Sequence, residues 1–84
     1  MNDLDRTIRA AILRALLAAK GPMPETALKQ HIRNVFAHVA FTEADLAQRI
    51  KELESANIIC GTNDEIVGIV WDLTLKGKTR AQQL

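Results

Sequence analysis

One cysteine, two prolines, no tyrosine and only three aromatic side chains in 84 residues leave few of the means by which a small chain is stapled or given a reactive site. A lone Cys60 cannot close an internal disulfide. No positively charged leader with an apolar stretch and a small-residue cleavage site opens the sequence, and together these two observations make the cytoplasm the expected compartment. Long apolar runs are missing as well. Arg9, Arg14 and Lys20 interrupt the most apolar stretch, which stays far short of the ~18 residues a spanning helix requires, so no membrane segment is expected. His31, His38 and Cys60 fall on separate elements and match no closed zinc pattern, and no Gly-rich phosphate loop or aligned pair of carboxylates is present. No catalytic residue, metal or cofactor is expected, and Cys60 reads as a small buried side chain in an apolar strand.

What the chain does have is the 48% apolar, 25% charged balance of a folded protein, at a length that suits a single domain over residues 1–84. Its net charge of +1 hides an uneven distribution. Residues 1–41 hold six bases and three acids, and residues 73–84 hold three bases and no acid. Residues 42–72 carry Arg49 and Lys51 against seven acids, a balance of −5.

Helical periodicity marks three segments. Leu4, Ile8, Ile12, Ala15, Leu16 and Ala19 form an apolar stripe over 4–20, with Asn2 or Asp3 to cap its start and Gly21-Pro22 to close it. Pro24 as first helical position, Glu25 at the dipole's positive end and the run Leu28, Ile32, Val35, Phe36 predict a second helix over 24–36, followed by a turn to Phe41. Thr42 and Asp45 make a variant capping box for a third helix over 42–56, with Phe41 and Leu46 as hydrophobic staple and Leu46, Ile50 and Leu53 facing inward. A β-hairpin is expected over 58–73, turning at Thr62-Asn63-Asp64-Glu65, with Val67, Ile69, Trp71 and Leu73 toward the core. Thr74 can cap a short closing helix.

The expected fold class is therefore α+β: a three-helix core, a β-hairpin wing and a short C-terminal helix, the order of a winged helix-turn-helix. The stretch Trp71-Asp72-Leu73-Thr74-Leu75-Lys76-Gly77 resembles the aromatic-x-Leu-Thr-x-x-Gly ending of the wing in small bacterial and phage regulators of the MarR and PadR type. Leu46 to Ile59 resembles the recognition helix and first wing strand of such proteins, and the likeness spans almost the whole chain. It implies a dimeric transcriptional regulator that binds double-stranded DNA. The sequence departs from that pattern at the hairpin tip, where Asn63, Asp64 and Glu65 stand in place of a basic residue, and it lacks the long extra helices by which full-length relatives dimerise.

On the third helix, Ala44, Gln48, Lys51 and Ser55 share the face opposite Leu46, where Gln48 suits adenine and Lys51 guanine or a phosphate. Thr42, Arg49 and the tail bases Lys76, Lys78 and Arg80 are the candidate phosphate contacts. Acids flank that face, Asp45 and Glu52 on one side, Glu43 and Glu54 on the other, and would repel the phosphates lining a groove. A protein–protein module on the same fold is the alternative function. Leu13 and Leu17 lie off the main stripe and need an apolar neighbour, either the hairpin and closing helix or a second subunit; with Leu84 they are the candidate homodimer interface.

Overall fold

The computed structural model describes residues 3–84, in the order α1 (Asp3–Ala19), β1 (Met23–Pro24), α2 (Glu25–Val35), α3 (Glu43–Ser55), β2 (Ile59–Asp64), β3 (Gly68–Leu73), α4 (Leu75–Gln82). Asn2, a candidate cap, lies outside the described residues. The protein is α+β, with four helices and a three-stranded antiparallel sheet among the described residues.

The apolar stripes meet in one core. Ile8, Ile12 and Leu16 of α1, Leu28 and Ile32 of α2, and Leu46, Ile50 and Leu53 of α3 converge on Ile59, Trp71 and Leu73 of the sheet. α1 is the central helix, packed against α2, α3, α4 and β3. Helix ends follow local chemistry. At the start of α3 the Thr42 hydroxyl accepts from Asp45 N–H at 3.1 Å while the Asp45 carboxylate accepts from Thr42 N–H at 3.0 Å, the reciprocal capping box. At its end Asn57 takes φ 61°, Ile58 N–H donates to the Leu53 carbonyl at 3.0 Å and Asn57 N–H to that of Glu54 at 2.9 Å, a Schellman closure that turns the chain into β2. α1 closes differently from expectation. Lys20, rather than Gly21, occupies the left-handed region, at φ 56°.

The sheet departs from the sequence reading in three ways. Met23 and Pro24 form a strand, pairing with Trp71 and Val70, so that β3 is central and the order is β1-β3-β2. Pro24 is accordingly extended (φ −57°, ψ 143°) and precedes α2 instead of beginning it. The hairpin turns three residues later than expected: Thr62 and Asn63 are ladder residues opposite Val70 and Ile69, and the turn is Glu65-Ile66-Val67. The Asp64 carboxylate accepts from the N–H groups of Ile66 and Val67 at 2.8 and 3.0 Å, and Gly68 supplies the φ of 85° needed to re-enter the ladder. As a result the hairpin extends beyond the core, so Trp71 and Leu73 are buried while Val67 and Ile69, expected inside, are 49% and 42% exposed. Val35, placed on the α2 stripe, is also exposed, as is Cys60.

Both turn-forming carboxylates are held below the ordinary carboxylate range, Asp45 by the Thr42 backbone N–H and then its hydroxyl, Asp64 by the N–H groups of Val67 and Ile66. A depressed folded-state pKa contributes stability that is complete above the unfolded value and is lost as pH falls through the folded one. The urea midpoint is therefore expected to drop as pH falls below the normal carboxylate range, and Asp45→Asn to flatten part of that drop. An identical pH profile in the variant would show that the carboxylate of the cap contributes nothing.

Candidate functional site

The capping box and the Schellman closure hold α3 by its two ends, and between them Ala44, Gln48, Lys51 and Ser55 all stand exposed on one outward face, as their spacing required. The polar face is real, but the groups expected to support it are otherwise engaged. Thr42 is committed to the cap. Arg49, expected at a phosphate, points inward. Its guanidinium pairs with Asp5 of α1 and with Glu52, its side chain only 13% exposed. Arg49 Nε lies 2.9 Å from Glu52 Oε1 but off the N–H direction, so that this buried nitrogen has no aligned acceptor. Arg9 also reaches Glu52, at 3.7 Å, making a cluster that ties α1 to α3. Arg49 is thus committed to ion pairs within the fold.

Of the tail bases only Lys76 reaches the α3 face, at its C-terminal end. α4 packs against α1. From it Lys76 donates to the Ala56 carbonyl at 3.1 Å, at the C-terminal end of α3, where a cation suits the helix dipole. Lys78 lies in a small hollow with Lys20 and Asp72, and Arg80 is exposed. On α2, Lys29 and Arg33 both pair with Glu43, Arg33 at 2.8 Å. Among the described residues this leaves Lys51 as the one base on α3 outside an ion pair.

The interface expectation is corrected at Leu13. It is 6% exposed in the isolated chain, part of the same core cluster as Ala81 of α4, and is thus covered within the fold. Leu17 is half-buried against that cluster, whereas Leu84 is exposed.

A different feature emerges between α3 and the hairpin. A groove of about 410 Å³ has Ile50, Ile69 and Trp71 as its apolar lining, with Lys51 and Glu54 contributed by α3 and Glu25 by α2. Gly61 makes the groove possible. A Cβ there would meet the Trp71 ring at 2.8 Å, so glycine lets β2 lie flat on the indole. The Trp71 Nε1–H donates to Glu25 at a long 3.4 Å, anchoring the ring's polar edge. No lysine or arginine occurs in residues 59–73, which carry Asp64, Glu65 and Asp72 and, in the turn, an Ile66 that is 93% exposed.

No family model, curated protein or solved structure matches the chain. Its own geometry is what bears on function. Among the described residues no group of three or more His, Cys, Asp or Glu side chains could hold a metal ion, and no helix is long and apolar enough to cross a membrane. Periodicity revealed the α3 face, but not the groove, which forms between α3 and the hairpin where Gly61 meets Trp71 across the ladder. The Arg49 partner was beyond the reach of a local reading because Asp5 is 44 residues away.

Proposed function

We propose that this chain is a winged-helix domain that uses the groove between α3 and the wing to dock a protein partner. The order α1-β1-α2-α3-β2-β3-α4, with a hairpin projecting beside the third helix, supports the winged-helix reading. The observation that carries the docking reading is the charge of the wing and groove: three acids and no base over residues 59–73, and apolar Ile66, Val67 and Ile69 open to solvent. Nucleic-acid affinity rests on neutralising phosphates, each contact contributing a slope of about −0.9 against log salt. With Arg49 engaged by Asp5 and Glu52, this surface has Lys51 and, at its end, Lys76 to offer. Exposed apolar side chains on a projecting hairpin are what a protein partner would cover.

The second reading, a DNA-binding regulator, is favoured by the exposed Gln48, Lys51 and Ser55 face, which carries no acid of its own. Titrating random and A-rich duplexes at about 50 mM and 200 mM salt separates the two, because phosphate contacts weaken steeply over that range. The docking reading expects no binding beyond a weak, salt-sensitive association that survives Lys51→Ala. Tight binding that Lys51→Ala weakens on every duplex, and in which Gln48→Ala relaxes sequence preference, would establish the regulator instead.

A further inference from the structure

We propose that the outer edge of β2 receives an extended, basic and apolar segment of a partner protein as a fourth strand, and that alternate side chains of this segment enter the α3–wing groove; this rests on the docking reading above. The sheet has two edges and only one of them is usable. β1 is two residues long, and its Pro24 has no N–H to donate. On the other side β2 runs six residues with its outer edge facing solvent. Among the described residues no backbone–backbone hydrogen bond from outside the sheet reaches Ile59–Asp64, and the side-chain bonds here are the turn's own, from Ile66 and Val67 N–H to the Asp64 carboxylate.

Edge strands are normally guarded by lysine, proline, a bulge or a covering element. β2 has none of these. Its register against β3 is one for one from Ile59 opposite Leu73 to Asp64 opposite Gly68, and Cys60, Gly61, Thr62 and Asn63 are small, uncharged and exposed. An open, unbulged edge of this length is a template for strand addition, in which backbone bonds supply affinity and alternate side chains supply selection. The selecting surface is the face shared by Gly61 and Asn63, which lines the groove together with Ile50, Ile69 and Trp71.

Charge decides the occupant. Glu25 already shares Lys29, but Glu54 on the groove wall and Asp64 and Glu65 at the tip have no cationic partner among the described residues, against the single base Lys51. A second copy pairing β2 to β2 would bring a hairpin with no base to these acids, and a nucleic acid would meet them with its own negative charge. A strand alternating apolar with basic residues satisfies both the groove and its rim.

The test is an NMR titration of the isotopically labelled full chain with an eight-residue peptide of alternating valine and lysine. Shifts are expected in the Ile59–Asp64 amides and the Trp71 indole N–H, and not on the solvent side of α1 or in α4. The same peptide N-methylated along one backbone edge should bind at least about tenfold more weakly, since several ladder bonds are lost. The alternating valine and glutamate peptide should leave the spectrum unchanged, and Thr62→Lys, which places a guard on the exposed edge, should abolish the response to the basic peptide. No shift at low-millimolar peptide, or β2 shifts that appear on concentrating the protein alone, would overturn the proposal. Equal binding of the N-methylated peptide would remove strand addition and leave groove docking standing. Displacement of the basic peptide by duplex DNA, with shifts on α3, would overturn the docking reading itself.

Discussion

Replacing Gly77 by alanine is expected to destabilise the protein by about 1–3 kcal/mol, although alanine is the better helix former by about 1 kcal/mol. Gly77 is buried inside α4, and a Cβ at this position would lie 2.0 Å from the Ile58 carbonyl oxygen and 3.2 Å from Leu73 Cδ2. The obstacle is backbone, with no flexible side chain to swing aside. Nor can that carbonyl move freely, for it accepts from Thr74 N–H at 3.0 Å, while the Thr74 hydroxyl donates its one proton to the neighbouring Asn57 carbonyl at 2.6 Å. The Thr74 hydroxyl in turn accepts from Gly77 N–H at 3.0 Å, capping α4. Thr74, Gly77 and Ile58 therefore form a closed hydrogen-bonded clasp between the end of α3 and the start of α4. Shifting α4 outward to fit a methyl group would open that clasp and uncover Leu13 and Ala81. Urea denaturation measures the effect; an alanine variant as stable as the parent would show that α4 re-docks without loss. The Leu-Thr-x-x-Gly pattern within residues 71–77 is thereby explained by steric and hydrogen-bonding demands of the fold, and does not by itself speak for DNA.

How much of this was legible in the sequence depends on how local each cause is. The start of α3 was fully legible, because Thr42 and Asp45 satisfy each other within one turn. The stripes Ile8-Ile12-Leu16 and Leu46-Ile50-Leu53 were legible for the same reason, each being a period within one helix. Alternation along β3 assigned Trp71 and Leu73 to the buried face, yet period alone does not say where a core ends, and Val67 and Ile69 on that same face lie past it. Cys60 faces the other way from Ile59 and Gly61 and is exposed, because only one face of β2 is turned toward the core. β1 was illegible, since two residues become a strand only because Trp71 and Val70 lie beside them. The site was legible in its exposed face and illegible in its electrostatics: a positive charge at Arg49 can be read from sequence, but its neutralisation by Asp5 cannot.

Leu53→Ala is expected to produce the largest loss of stability, about 2–5 kcal/mol, the range for a leucine whose removal leaves a cavity that the surroundings fill only in part. Leu53 is 4% exposed, the last inward residue of α3, and its carbonyl receives the Ile58 N–H that closes the helix. Ile58, itself buried, sits at the position where a Schellman closure brings an apolar side chain back onto the helix. The cavity would thus open under the junction of α3 and β2, where Asn57 holds a left-handed conformation that restricts collapse. Alanine raises helix propensity, so no part of the loss comes from α3 as an isolated helix. Against the total of 5–15 kcal/mol usual for a small domain, the change consumes a large fraction and should lower the melting temperature by about 4–8 °C for each kcal/mol. Gln48→Ala, five residues earlier on the exposed face, supplies the contrast, with an expected change within about 0.5 kcal/mol. If Leu53→Ala cost less than about 1 kcal/mol in urea, the inward face of α3 would be wrongly assigned, and with it the outward face on which both functional readings depend.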